Sequence, residues 1–161
     1  MTEDRLPPQN IEAERTTLGS LLIDPEGLVR IADSLKPQDF YRRPHQLIFT
    51  AISDLYARSE PADIVTVCEE LDRHSSLEDV GGEAFVSSLA NDVPPPFHLE
   101  HYANIVKRAA VLRRLIVGAG EISSLAYSSE SEWRAILDGA ESIVFGISRD
   151  LETGQHVSLR E

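Results

Sequence analysis

The chain contains very little cysteine and no long apolar run, and each shortage excludes a class of protein. Cys68 is the single cysteine among 161 residues, so an internal disulfide is impossible and a reducing compartment is expected. No apolar run approaches the roughly 18 residues that a membrane-spanning helix needs. The N-terminal stretch MTEDRLPPQN lacks the basic-then-apolar order of a secretory signal peptide. We therefore predict a cytoplasmic protein.

Basic residues are the second shortage. The chain has 15 lysine and arginine residues against 27 aspartate and glutamate residues, which gives a formal net charge of -12 at pH 7. Direct binding of duplex DNA depends on clustered cations that contact phosphates. The composition therefore favours protein partners, and it argues against the alternative of a small helical DNA-binding regulator.

Motifs for nucleotide, metal and nucleophile chemistry are also missing. No glycine precedes a lysine, so the sequence contains no GxxxxGK phosphate loop. His98 and His101 have a spacing that suits metal ligands, but no third ligand lies nearby in the sequence. Cys68 has no cationic neighbour to activate it, and no two acidic residues stand out as a catalytic pair. We predict no catalytic residue, no cofactor site and no metal site in this chain.

Signals for helix starts recur along the whole sequence. Asn10, Asp63 and Asp24 stand where side chains cap helix N-termini, and Pro25 suits the first helical position. The β-branched run at 64–67 would suit a strand, but the apolar residues from there onward repeat at a helical period. We predict an all-α protein.

Three consecutive prolines at 94–96 divide the chain. Because such a run cannot continue a helix, we predict a helical globule over residues 1–96. Two helices joined by the polar turn SSESE follow, and they indicate an antiparallel helical hairpin over 97–150. The remaining segment, 151–161, has no clear period and is predicted to begin a linker.

The first hairpin helix carries more apolar surface than one partner helix can cover. Its main stripe is predicted to pack on the second helix, whose own stripe runs from Trp133 to Ile147 and leaves Phe145 aside. A second stripe of Val111, Leu115 and Ile122 lies about a quarter-turn away on the helical wheel. This spare stripe and Phe145 need another surface, which the globule or a second subunit could supply. The main stripe consists of Tyr102, Ile105, Ala109, Leu112, Ile116, Ala119, Ser123 and Ala126.

Four cations on the same helix raise a separate question. Few acidic residues stand four positions from Lys107, Arg108, Arg113 or Arg114, so their partners must come from elsewhere. We expect the second helix or a neighbouring subunit to supply them.

Five segments, in their order and spacing, resemble the N-terminal domain of DnaB-type replicative DNA helicases. The resemblance covers residues 6 to 150. It breaks after DVP, where Pro95, Pro96, Phe97 and His98 replace the family's Thr and, two residues on, Asn. The segments are LPPQNIEAERTTLGSLLID, DFYRRPHQLIFTAI, EPADIVTVCEEL, VGGEAFVSSLA and HYANIVKRAAVLRRLI.

The resemblance implies a six-helix globule followed by a helical hairpin that pairs between subunits. Six such domains form a collar that docks primase, and helicase loaders can also contact the helicase. In the family an ATP-dependent 5'–3' DNA helicase activity, with its ATP, magnesium and DNA contacts, belongs to a RecA-like motor domain that this chain lacks. A stand-alone adaptor of the primosome, without a motor, is the alternative.

Eight residues are predicted to form protein interfaces. Val111, Leu115, Ile122 and Phe145 follow from the spare apolar surface. Phe85 follows from the resemblance, because the family's aromatic residue at that place lies near the primase-facing surface; a core position in the globule is equally open. Arg108, Arg113 and Arg114 complete the set as second-rank choices.

Overall fold

The computed structural model describes residues 5–94, 98–128 and 130–156, with residues 152–156 described by their backbone alone. All regular structure in these ranges is helical, which confirms the predicted all-α class. Two single 3-10 turns, Pro25–Gly27 and Pro37–Asp39, interrupt the α-helices. The α-helices are α1 Ile11–Ile23, α2 Leu28–Ile31, α3 Arg43–Ala57, α4 Ile64–Arg73, α5 Leu77–Val80, α6 Gly82–Asn91, α7 Leu99–Ser128 and α8 Trp133–His156.

Two of the three predicted helix caps are confirmed. The Asn10 side chain accepts the Ala13 N–H at 2.9 Å at the start of α1. Asp63 accepts the Thr66 N–H at 2.9 Å, and the Thr66 hydroxyl accepts the Asp63 N–H in return. The third is confirmed in position only: Asp24 and Pro25 take the N-cap and first helical positions, but of a 3-10 turn, and Asp24 makes no side-chain cap bond. The β-branched run at 64–67 is helical, as its period indicated.

The core of the globule forms around α1, which packs against α3, α6 and α7. Leu18 and Leu21 of α1 are fully buried, as are Ile48 and Ile52 of α3. Burying an aliphatic side chain of this size stabilises the fold by about 1.5–3 kcal/mol. No helix among the described residues is both long and apolar enough to cross a lipid bilayer.

The long helix α7 has two partners in succession. Its first part lies on the globule, where Leu99, Ala103, Val106 and Ala110 are buried. Further along, α8 packs against it. With 30 residues, α7 is about 45 Å long, whereas its burial against the globule ends at Ala110. The predicted hairpin therefore projects beyond the globule.

The prediction of which face of α7 packs against α8 was wrong. Ile116, Ala119 and Ser123 of the predicted stripe are exposed. The helices instead meet through glycines: a Cβ at Gly118 would lie 3.1 and 3.2 Å from Ile147 and Ile143, and one at Gly139 would lie 3.2 Å from Leu125. One helical wheel for the whole of α7 mixes the residues that face the globule with those that face α8, and it gives no weight to glycine. For these two reasons it misplaced the contact.

The end of the second hairpin helix also differs from the prediction. We expected it near residue 149, but α8 continues to His156. The first six residues of the predicted linker, 151–156, are therefore helical, and the rest of it lies outside the described residues.

Two glycine substitutions test the packing of the helices. Gly19→Ala should lower the free energy of unfolding by about 1–3 kcal/mol, because the new Cβ would overlap the Leu89 carbonyl and the Val93 side chain. The control is Gly120→Ala in α7, where a Cβ meets nothing within 4 Å. It should raise the free energy of unfolding by about 0.5–1 kcal/mol. Urea titrations of both variants measure the difference, and equal values would contradict the close approach at Gly19.

Candidate protein-interaction surface

Large apolar side chains are exposed along both helices of the hairpin. Leu115 of α7 is 46% exposed, and Trp133, Leu137 and Val144 of α8 are 64%, 51% and 52% exposed. We call these four residues the outer face. Ile116 adjoins it and is also exposed. A run of exposed large apolar residues of this kind is uncommon on a monomer and typical of an interaction surface.

The outer face lies on one side of the hairpin. The other side holds a cleft of about 580 Å³ between the hairpin and the globule, lined by Gln38, Arg113 and Val117 and by Ser142 and Gly146 of α8. The α7 and α8 axes define a plane. The helical period places the outer-face residues on one side of this plane and the cleft on the other. The outer face is therefore turned away from the chain's own globule.

The four predicted apolar interface residues differ in their exposure and in the helix face on which they lie. Leu115 belongs to the outer face, and Phe145 is exposed on α8, on the side remote from α7. Ile122 is half-buried, and its spacing from Gly118 and Leu125 places it on the face that meets α8. Val111 is half-buried as well. Leu115 and Phe145 are thus the two most accessible of the four.

Phe85 lies at the edge of the globule's core. It is half-buried and packs against the core, with its ring stacked on the His45 ring at a centroid distance of 6.1 Å. The Arg15 guanidinium lies 5.5 Å from the ring centroid, and Arg15 also binds Asp92 at 2.9 Å. Phe85 therefore combines a buried support with a partly accessible edge, so its predicted interface role stays a prediction.

The prediction that α8 or a second subunit supplies the partners of the four α7 cations was wrong for three of them. Lys107 Nζ binds Asp39 Oδ2 at 3.1 Å, and Arg114 Nη2 lies 3.4 Å from Asp39 Oδ1. Arg113 donates to the carbonyl oxygens of Asp39 at 2.6 Å and Pro8 at 2.7 Å. The globule, rather than α8 or a second subunit, supplies these acceptors.

Arg108 is the exception among the α7 cations. It is exposed, and it has no ion pair within the described part of the chain. Among the three arginines that we predicted as interface residues, Arg108 therefore keeps its charge available to a partner. The guanidinium groups of Arg113 and Arg114 are occupied within the protomer.

The carboxylate of Asp39 forms the centre of this junction. Its side chain is fully buried, and the Pro37–Asp39 turn fixes it by a hydrogen bond from the Lys36 N–H at 2.8 Å. Tyr41 follows closely, and its ring lies 5.5 Å from the Arg113 guanidinium. We did not predict this site from the sequence, because the acid and its cations are about 70 residues apart. The available signal was a set of cations on α7 without local partners.

A second buried carboxylate escaped the sequence analysis. Glu14 accepts the Tyr41 N–H at 2.8 Å and lies 2.8 Å from His45 Nδ1, and both side chains are buried. His45 does lie in the first turn of α3, as expected. Its ring stacks on the Phe85 ring, so this pair supports one of the predicted interface residues from inside.

Glu70 is the third buried carboxylate, at the contact of α3 and α4. Arg58 binds it at 2.7 Å and Arg73 at 3.0 Å. The hydrogen bonds from Arg58, with that of His74, lower the pKa of Glu70 to about 2 despite its burial. Asp54, Glu70 and His74 are the one group of three metal-ligating residues in the described ranges. Since two arginines already compensate the Glu70 charge, we interpret the cluster as structural.

The fold defines the class of the protein: an all-α globule that carries a protruding helical hairpin. The family model of the DnaB-like helicase N-terminal domain matches residues 6–108. The chain belongs to this family, and the resemblance found in the sequence is confirmed.

Curated relatives and solved structures agree with this assignment. The chain is 40% identical over 158 residues to the replicative DNA helicase DnaB of Geobacillus stearothermophilus, covering 98% of this chain and 35% of the relative. It is 39% identical over 161 residues to the replicative DNA helicase DnaC of Bacillus subtilis, covering 100% of this chain and 36% of the relative. The chain thus spans about a third of the length of these relatives.

Two solved structures share the fold. The N-terminal domain of DnaB helicase from Mycobacterium tuberculosis superposes with a TM-score of 0.82 at 36% identity, covering 88% of this chain and 99% of that one. A DnaB-like replicative helicase, from a structure that describes its interactions with primase, gives a TM-score of 0.73 at 22% identity. That match covers 88% of this chain and 31% of the other, and it supports the fold alone.

The Glu70 cluster predicts a pH dependence of stability. The pKa of Glu70 is about 2 in the folded chain against a usual 4.5, so its contribution to stability is present above pH 4.5 and is lost as the pH falls towards 2. Glu70→Gln should therefore destabilise the protein at pH 7 and flatten the acid limb of the stability curve. The matched control is Glu69→Gln, an exposed neighbour on the same helix. Urea midpoints measured from pH 7 to pH 2 would contradict the argument if both variants kept the wild-type slope.

Proposed function

We propose that this chain is the collar domain of a hexameric replicative DNA helicase, where it joins subunits and docks primase during DNA replication. The observation that carries the proposal is the outer face, an apolar surface on a hairpin that is turned away from its own globule. The membership of the DnaB-like family supplies the context. ATP hydrolysis with magnesium, DNA translocation and loader contacts are assigned to the parent helicase in the cytoplasm.

The distribution of side-chain size along α7 supports an antiparallel pairing of two hairpins. Large residues occupy the first half of its exposed stripe and small ones the second half. Two copies that run in opposite directions place the large half of each on the small half of the other, which gives an isologous two-fold contact. The stripe comprises the half-buried Leu112 and the exposed Leu115 and Ile116, followed by the exposed Ala119, Ser123 and Ala126.

A stable pairing of hairpins also has to bury enough surface. A stable interface buries about 1,200–2,000 Å² in total, or about 800 Å² on each partner. The exposed halves of α7 and α8 extend over the part of the hairpin that lies beyond the globule, and they carry the outer face along their length. A second contact, between a globule and a hairpin of the next pair, would close six chains into a ring.

Docking of primase is proposed for the edge of the globule at Phe85. The partly accessible ring lies under Arg15, and Arg15 also lines a cleft of about 390 Å³ together with Leu89, Asp92 and Tyr102. An aromatic residue and an arginine at the rim of a cleft are typical anchors of protein interfaces. A primase held there would act at a raised local concentration on the strand leaving the fork.

The assembly role predicts a specific loss of association. Leu115→Asp combined with Val144→Asp should shift the chain towards the monomer at concentrations where the wild type associates, because two charges would be buried in the paired hairpins. Ile122 is unsuitable for this test, because it faces α8. The control is Val65→Asp, an exposed apolar residue on the globule. Sedimentation velocity showing the same oligomers for the double variant and the wild type would remove the interface role.

The docking role predicts a loss of primase affinity. Phe85→Ala should weaken binding of the helical domain of primase by about tenfold or more, as expected for an aromatic anchor. Tyr56→Ala is the matched control, since Tyr56 is an exposed aromatic residue on α3, away from the cleft. Calorimetric titrations measure both affinities, and undiminished binding by the Phe85 variant would exclude this residue.

The parent protein is tested at the level of the gene. A GxxxxGK phosphate loop encoded downstream of Glu161 would support the helicase, because this loop binds the phosphates of ATP. A stop codon directly after Glu161 would instead favour the stand-alone adaptor of the primosome.

A further inference from the structure

The direction of the hairpin depends on a small part of the molecule. Among the described residues α8 packs along α7 and makes no extensive contact with the six helices of the globule. The contacts of α7 with the globule therefore contribute most to the angle between hairpin and globule. Burial on that side of α7 ends at Ala110, and the polar contacts of Arg113 and Arg114 follow it.

Beyond Arg114 the helix acts as a lever. From Arg114 to Ser128, α7 continues for 14 residues, which corresponds to about 21 Å at 1.5 Å per residue. A rotation of about 10° at the base would therefore displace the tip by about 4 Å. A displacement of that size is comparable to the offset between neighbouring side chains on a helix, so it would change the register of any contact made by the outer face.

The base of the lever is held by directional bonds rather than by apolar packing alone. Apolar contacts tolerate small sliding, whereas charge-assisted hydrogen bonds have defined distances and angles. Lys107 and Arg114 approach the two carboxylate oxygens of Asp39 separately, and Arg113 binds its main-chain carbonyl. Lys107 and, about two turns later, the adjacent Arg113 and Arg114 thus all donate to a single residue of the globule.

Asp39 itself has little freedom to follow a movement of α7. Its side chain is fully buried, and it accepts the Lys36 N–H within its own 3-10 turn. The main-chain carbonyl that receives Arg113 belongs to the same turn. Arg113 additionally holds the Pro8 carbonyl, so the N-terminal leader is tied to the same point. The acceptor side of the junction is therefore rigid.

We propose that Asp39 is a positioning residue that fixes the angle between hairpin and globule and so determines how the outer face meets a second copy of the chain. Asp39 contacts no partner itself. The first half of this inference concerns the protomer alone, and the second half rests on the proposed function. Loss of the carboxylate charge is expected to release the lever without changing the outer face.

The test measures the angle directly in a chain that cannot pair. Spin labels are placed at Thr50→Cys on α3 and Ser131→Cys in the hairpin turn, two exposed positions, with Cys68→Ala to prevent labelling of the native thiol. The pairing is blocked by Leu115→Asp and Val144→Asp. In this background Asp39→Asn should shift or broaden the distance distribution from pulsed electron paramagnetic resonance by about 4 Å, as expected for a rotation of about 10°.

The matched control is Glu70→Gln, which neutralises another buried carboxylate bound by two arginines but lies between α3 and α4. It should leave the distance distribution unchanged, although it also removes a buried charge pair. If Asp39→Asn fails to fold, Lys107→Met removes one of the two side-chain cations and leaves Arg114 in place. An unchanged distribution in the folded Asp39 or Lys107 variant overturns the inference.

Association is then measured without labels and with the outer face intact. Asp39→Asn should lower the population of paired chains in sedimentation velocity by several-fold while the helix content stays that of the wild type. A changed distance with unchanged pairing would refute the link to assembly and keep the positioning role. Loss of pairing with an unchanged distance would refute the positioning role. Failure of the proposed function itself shows separately, as an unaffected Leu115 and Val144 double variant.

Discussion

A helix that is longer than its support is the constraint on which the structure depends. The globule can cover only the first part of α7, so the rest of the helix must find cover from α8 and from outside the protomer. The glycines at the contact with α8 bring the two helices close together, which covers a narrow strip of each. The remaining apolar residues of both helices stay exposed as a direct consequence of this length and of the narrow contact.

The three buried carboxylates share one feature: each is paired with a cation or a hydrogen-bond donor, although cations are scarce in this chain. An acidic side chain can be buried at modest cost only when a donor or a cation accompanies it. Glu14 has His45 and main-chain N–H groups, Glu70 has arginines, and Asp39 has Lys107 and Arg114. Several of the 15 basic residues are thereby engaged in ion pairs within the protomer.

Local features of the fold were predictable from the sequence, because their causes are local. The caps at Asn10 and Asp63 and the helical period of α4 involve residues within one turn of each other. The break at 94–96 separated globule and hairpin in the prediction for the same reason, although 95–97 lie outside the described residues. The all-α class followed from the repetition of such signals along the chain.

The junction and the hairpin contact were not predictable, because they depend on distant segments. Nothing near Asp39 in the sequence indicates that Lys107 and Arg114 will reach it. The face of α7 that meets α8 is chosen by glycine, whose contribution is the absence of a side chain, and a hydrophobic period does not register it. The exposed surface was foreseen as an excess of apolar residues, whereas its place on Leu115 and Val144 required the structure.

The narrow shape of the outer face favours specific pairing over aggregation. It is a stripe along two helices rather than a broad patch, and α8 also carries the exposed acids Asp138 and Glu141. A narrow apolar stripe is best covered by another rod-shaped surface, while like charges on the same helix disfavour arbitrary contacts. On the proposed function, specificity therefore needs both the stripe and a fixed direction of the hairpin. Because the junction of Asp39 with the α7 cations fixes that direction, it would influence the pairing although none of its residues lies in the interface.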